Sequence, residues 1–172
     1  MPLLVVYSSR TGNTRQVAEA ALEALPGQAV VVPVEDAPDP DGFAAVAVGF
    51  WVDRGRPDAK AAAFMETLKG RDVAAFGTLG ARPDSEHAGD VRRATEEMLH
   101  GNRFLGSYLC QGRIDPRIIE AMERSGHHPM TPERKANIEE AERHPDQTDL
   151  ENAQAFFRTV FQRIGEGQAC EA

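Results

Sequence analysis

The run Ser9-Arg10-Thr11-Gly12-Asn13-Thr14 concentrates groups that can hold an anion. The hydroxyls of Ser9, Thr11 and Thr14 can donate hydrogen bonds, and Gly12 gives the backbone freedom to wrap. The run follows a short apolar segment, Leu3-Leu4-Val5-Val6-Tyr7, and precedes a stripe of Val17, Ala21, Leu22 and Leu25 at helical spacing. It therefore falls where a helix begins, and a helix start offers free N–H groups and a positive dipole end. Such a loop is a phosphate cradle that needs no lysine. It matches neither the GxxxxGK[ST] pattern of nucleoside triphosphatases nor the GxGxxG of dinucleotide folds. An ordinary strand-to-helix turn uses the same residue types for capping, so the residues alone leave both readings open.

Two further loops carry candidate chemistry. Gly49-Phe50-Trp51-Val52-Asp53-Arg54-Gly55 places the single tryptophan of the chain where a strand ends. An indole there can stack on a flat ring or pack under the following helix. Gly77-Thr78-Leu79-Gly80-Ala81-Arg82-Pro83-Asp84-Ser85 has glycines that let the backbone approach a ligand closely. Other residues carry less. His127-His128 lack the carboxylate or cysteine partners of a metal site, and a solvated helix end accounts for them. Cys110 and Cys170 are far apart and form no CxxC, which argues against a disulfide framework, a zinc site or an iron–sulfur cluster. Cys110 ends a strand and reads as an inert core residue. Asp53 stands where receiver domains keep a phosphoacceptor, but Ser9 and Gln111 replace the acidic and lysine partners of that site. The acidic run Glu35 to Asp41 reads as a solvated loop.

These loops need a scaffold, and the apolar pattern supplies one. Strands are expected at Leu3–Tyr7, Ala29–Val34, Ala44–Trp51, Asp72–Phe76 and Phe104–Cys110, with amphipathic helices between them. Pro57 suits the first turn of the helix carrying Ala61, Phe64, Met65 and Leu68. The last helix opens on Thr148-x-x-Glu151, read as a capping box, and its stripe runs from Leu150 to Ile164. Strands alternating with helices predict an α/β fold, a doubly wound five-stranded parallel sheet in the order 2-1-3-4-5, in a single domain over residues 1–172. Residues 111–147 form a helical insertion between strand five and the last helix, with Asp115-Pro116 and Thr131-Pro132 each opening a short helix. Residues 166–172 read as a frayed tail. In such a sheet ligands lie at the carboxyl ends of the strands, where the three loops converge. The insertion leaves strand five at that same edge. It is expected to border the ligand, with Arg113, Arg117, His127 and His128 as candidate contacts; the competing reading is a cover for the flank of strand five.

Ser-x-Thr-Gly-Asn-Thr directly after a buried first strand resembles the phosphate loop of flavodoxins. The order of strands and helices fits that family from residue 3 to 110 and again from 148 to 164. The resemblance implies flavin mononucleotide (FMN) as cofactor. It implies that Ser9, Arg10, Thr11, Gly12, Asn13 and Thr14 hold its phosphate. It implies that Phe50, Trp51, Val52 and Asp53 meet the isoalloxazine, and that Thr78, Leu79, Gly80 and Ala81 contact its pyrimidine edge. The third loop departs from the family pattern, because neither an acidic residue nor a stacking tyrosine follows Gly80. One ring face is thus open or covered by something else. The phrases Gly49-Phe50-Trp51-Val52-Asp53, Phe76-Gly77-Thr78-Leu79-Gly80-Ala81 and His128-Pro129-Met130-Thr131-Pro132-Glu133-Arg134 are similar to a narrower branch, the flavodoxin-like companions of bacterial bilirubin reductases.

The chain has 172 residues and a net charge of −8, enough for one full core and wrong in sign for phosphate backbones or anionic membranes. No nucleic acid, membrane or metal partner is expected. Leu3–Tyr7 is too short and lacks the basic flank of a signal peptide, so the expected compartment is the cytoplasm. An electron-transfer flavoprotein serving a separate reductase is the leading expectation, and its acidic shell is expected to lower the potential of the cofactor. A stand-alone FMN-dependent NAD(P)H oxidoreductase with a quinone-type acceptor and a non-redox accessory module are the alternatives.

Overall fold

Leu3, Leu4, Val5 and Val6 are all fully buried, because strand β1 (Leu3–Tyr7) lies inside a sheet covered on both faces. The computed structural model describes residues 1–126 and 129–169. The sheet adds β2 (Ala29–Pro33), β3 (Ala45–Asp53), β4 (Arg56–Pro57), β5 (Asp72–Leu79) and β6 (Arg103–Gln111). Its order is β2-β1-β3-β5-β6, all parallel, with the two-residue β4 turned back antiparallel on the end of β3. Setting β4 aside, this is the 2-1-3-4-5 order expected from the sequence.

Alternation along β1 divides the core in two. Leu3 and Val5 face α1 (Asn13–Ala24) and α6 (Gln147–Ala169), joining Val17, Ala21, Phe157 and Val160. Leu4 and Val6 face α2 (Ala59–Thr67) and α3 (Glu86–Met98), joining Met65, Leu68, Val91 and Leu99. The insertion holds α4 (Pro116–Ser125) and α5 (Pro132–Ala141), capped by Asp115 and Thr131. No helix among the described residues is long and apolar enough to cross a membrane.

Several local details differ from the sequence expectation. β3 and β5 run to Asp53 and Leu79, since each has a neighbour to pair with past the predicted end. β2 stops at Pro33, and a 3₁₀ turn takes up Val34–Asp36. Pro57 lies in β4 rather than in the first turn of α2, because Asp58 after it caps the helix. The last helix is capped by Asp146, two residues before Thr148. Asp146 Oδ1 accepts the Asp149 N–H and Asp149 Oδ2 accepts the Asp146 N–H, each at 2.9 Å, a reciprocal box shifted from Thr148/Glu151. The helix then continues through Gly165 to Ala169, where fraying was expected; Cys170 and the two residues after it lie outside the described residues. At the outer strand β6 a bulge opposite Val73/Ala74 coincides with Gly106 at φ 127, and Arg163 of α6 donates to the Leu105 carbonyl.

Candidate functional site

The carboxyl ends of β1, β3, β5 and β6 open on a cleft of ≈ 590 Å³. At its β1 side the backbone turns into α1 through Gly12, whose φ of 94 is a conformation that favours glycine. Side chains of Asp58, Ser85, Asp115 and Thr131 cap α2 to α5, but Gly12 leaves α1 without a side-chain cap. Ser9 Oγ accepts the Arg15 N–H at 3.3 Å. The N–H groups of Asn13 and Thr14 find no acceptor among the described residues. Two amides and the positive end of a helix thus face one spot, which suits an anion.

Thr11 and Asn13 line the cleft, while Thr14 is buried below it. Thr14 Oγ1 donates to the Phe50 carbonyl at 3.3 Å and lies 2.9 Å from Thr78 Oγ1, riveting the start of α1 to β3 and β5. The Asn13 amide donates to the Arg113 carbonyl at 2.8 Å. It lies so close over Gly112 that a Cβ there would come within 2.7 Å of its Nδ2. The loop after β1 and the start of the insertion are therefore one packed unit.

Trp51 and Val52 line the cleft, but Phe50 does not. Phe50 lies one residue further back along β3 and is buried in the core beside α2 and α3. Asp53 is exposed at the far end of β3 and also stands apart from the lining. The guanidinium carbon of Arg10 sits 5.4 Å from the Trp51 ring centroid, and Arg10 Nε is 3.1 Å from Asp115 Oδ2. From the β5 side come Thr78, Leu79, Gly80 and Ala81. Of the expected contacts, the structure gathers Arg10, Thr11, Asn13, Trp51, Val52 and Thr78 to Ala81 on one cleft. Ser9, Gly12 and Thr14 stand behind it, shaping the loop.

The opposite wall belongs to the insertion: Ile114, Ile118, Ile119 and Met122 from the α4 side, and Arg134, Asn137 and Ile138 from α5. Gly80 is where this wall is fastened. A Cβ on Gly80 would meet Ile114 Cγ1 at 2.6 Å, so the missing side chain makes room for the insertion. The Gly80 carbonyl accepts from Gln111 at 3.0 Å and Asn137 at 2.8 Å.

Sequence reasoning missed the residue that ties the loops together. Asp58 is 2 % exposed. Its Oδ1 accepts from Ser8 Oγ at 2.8 Å and from the N–H groups of Lys60 and Ala61, and its Oδ2 accepts the Trp51 N–H at 3.3 Å. The signal was present, since Asp before an Ala-rich apolar stripe is a helix cap. Asp115 was read only as a cap. It also pairs with Arg117 and Arg10, and these hold its carboxyl down to about 2: the Arg117 side-chain hydrogen bond weighs most, then the Arg117 backbone N–H, with the Arg10 charge last.

The local charge is opposite in sign to the whole. Arg10, Arg113 and Arg134 line the cleft with His87, and the carboxylate among the lining residues is Asp115. Of the candidate contacts in the insertion, Arg113 lines the cleft, Arg117 is turned to Asp115, and His127 and His128 lie outside the described residues.

An order of β2-β1-β3-β5-β6 with an uncapped helix start after β1 defines a doubly wound α/β protein with its cleft at the carboxyl ends of the strands, and the chain matches the Flavodoxin domain family over residues 4–158. It belongs to that family. It is similar to the flavodoxin-like domain-containing protein BilS of Clostridioides difficile, 27 % identical over 93 % of this chain and 96 % of that protein. Among solved structures, an archaeal flavodoxin superposes with a TM-score of 0.61 at 18 % identity, over 96 % of this chain and 99 % of that one. A Lactobacillus acidophilus flavoprotein in complex with FMN superposes with a TM-score of 0.54 at 14 % identity, over 69 % and 97 %.

Proposed function

We propose that this chain binds FMN in the cleft and carries electrons to a separate reductase in the cytoplasm. The observation that carries the reading is the start of α1, uncapped and presenting the Asn13 and Thr14 amides, on the same cleft as Trp51 and the β5 loop. The donor set fits the group. Backbone amides and the Thr11 hydroxyl suit a phosphate, the indole suits a flat ring, and the backbone of Thr78 to Ala81 suits a ring edge that both donates and accepts. Bound FMN supplies one- and two-electron transfer; the protein supplies orientation and electrostatics.

Asp58 holds Ser8 and Trp51 in register, so the phosphate end and the ring end keep a fixed separation. Arg10, Arg113 and Arg134 favour negative charge on the ligand, which raises its reduction potential and works against the acidic shell. Membership of the flavodoxin family and the likeness to BilS support a carrier that serves a reductase. The test is to titrate apoprotein with FMN and with riboflavin, which lacks the phosphate. FMN is expected to bind far more tightly; equal affinities remove the phosphate site. Oxidation of NAD(P)H by the purified holoprotein alone, without a reductase, would instead make it an oxidoreductase in its own right.

A further inference from the structure

We propose that α4 and α5 supply the second face of the ring site, an aliphatic wall that covers the isoalloxazine opposite Trp51. The inference rests on the FMN reading above and extends it to residues outside the three flavin loops. Ile118, Ile119 and Met122 form one apolar face of α4, yet no residue of α4 is buried. A helix of 10 residues is marginal on its own and is stabilised mainly by burying its apolar face. Here that face is half-buried and lines the cleft together with Ile138 of α5. A cover for the flank of β6 would turn these side chains onto the strand instead.

The occupant is a flat ring for three reasons. Trp51 stands across the cleft, and the loop after Gly80 offers Ala81 rather than an aromatic. The planar Arg10 guanidinium already lies over the indole, 5.4 Å from its centroid, and pairs with Asp115 at the start of α4, so the space beside Trp51 is one that a flat, delocalised group occupies. The wall is also fixed relative to the anion spot. Asn13 holds the Arg113 carbonyl, Gln111 and Asn137 hold the Gly80 carbonyl, and the Arg113 N–H reaches the His144 carbonyl at 3.0 Å. A ligand whose phosphate sits at α1 therefore meets a wall at a set distance from that phosphate.

The test is the double variant Ile118→Ser/Met122→Ser in the full chain, read three ways: apoprotein melting temperature, FMN affinity, and quenching of bound-flavin emission by iodide. Because the stripe faces the cleft, the apoprotein should melt close to wild type. Losing two half-buried apolar side chains should weaken FMN binding about 10- to 100-fold, and the bound ring should become more accessible to iodide. Unchanged affinity and unchanged iodide access overturn the proposal while leaving the FMN reading intact. So does an apoprotein that melts as far below wild type as the holoprotein does, which makes the stripe structural. Wild-type protein that binds no FMN overturns the functional reading and this one with it. Should the double variant not fold, Met122→Ser alone is read in the same way.

Discussion

Replacing Asp58 by alanine removes one carboxylate and leaves four donors without an acceptor: Ser8 Oγ, and the N–H groups of Trp51, Lys60 and Ala61. The Lys60 and Ala61 amides are the start of α2, and losing such a cap costs about 1 kcal/mol. The Ser8 hydroxyl and the Trp51 amide are less able to turn to water, and each orphaned group costs about 1 kcal/mol or more. The sum is about 3 kcal/mol, which in a domain of this size lowers the melting temperature by about 6–12 °C. Asp58→Asn keeps one carbonyl acceptor but sets an NH₂ against a donor, so it should fall between wild type and alanine. Urea unfolding of the apoprotein measures the cost, and a double-mutant cycle with Ser8→Ala isolates the buried bond. The FMN affinity of Asp58→Ala should fall as well, because Trp51 loses its anchor. Stability within about 0.5 kcal/mol of wild type would show that Asp58 does not join the two loops, and the reasoning fails there.

Three other outcomes follow from the same geometry. Thr11→Glu sets a carboxylate against the phosphate and should weaken FMN binding by about 2–5 kcal/mol; equal affinity in calorimetry removes the phosphate from this loop. Adding FMN to apoprotein should strongly quench the single tryptophan, and Trp51→Ala should cost about 1–3 kcal/mol of FMN affinity, whereas unchanged emission at saturation separates Trp51 from the ring. His144 is raised above its usual value, first by its hydrogen bond with Asp149 and against an opposing burial effect, then by the charge of Asp149, the bond with Glu140 and the charge of Asp146. A raised histidine contributes stability in full below its unfolded value of about 6.5 and loses it as pH rises through the folded one, so wild type should lose melting temperature over that rise relative to His144→Gln; parallel curves refute the link.

The sheet was legible because its strands are buried on both faces and read as continuous apolar runs, Leu3–Tyr7 above all. The loop after β1 was legible as a strand-to-helix turn from the apolar run before it and the helical stripe after it, while its residue types alone suit capping as well as an anion. Phe50 is expected at the ligand with Trp51 but is buried deeper along β3, because the apolar run does not show how far back from the strand end the cleft begins. The last cap was misplaced because Asp146 and Thr148 are both cap formers with an acidic residue three positions on. The arrangement with Asp146 forms in a setting where Asp149 is also held by His144. Cys110 was read as an inert core residue, and burial pushes its thiol up to about 12. The insertion's two caps could be read, but not where its apolar face points. That depends on Gly80 and Gly112, glycines whose role is to let Ile114 and Asn13 come close, and one sequence does not tell a packing glycine from a ligand-approaching one.

The bulge at Gly106 bears on how the molecule behaves in a crowd. β6 is an outer strand, and a flat outer strand with open carbonyls is a template for another chain to add to. The bulge breaks the regular spacing of those carbonyls, and the Arg163 guanidinium occupies the one on Leu105. A second copy arriving edge-on meets an irregular ladder with a fixed positive charge across it. The strand from which the insertion departs is thereby protected against sheet-to-sheet aggregation on its own account, whatever the insertion itself is doing at the moment of encounter.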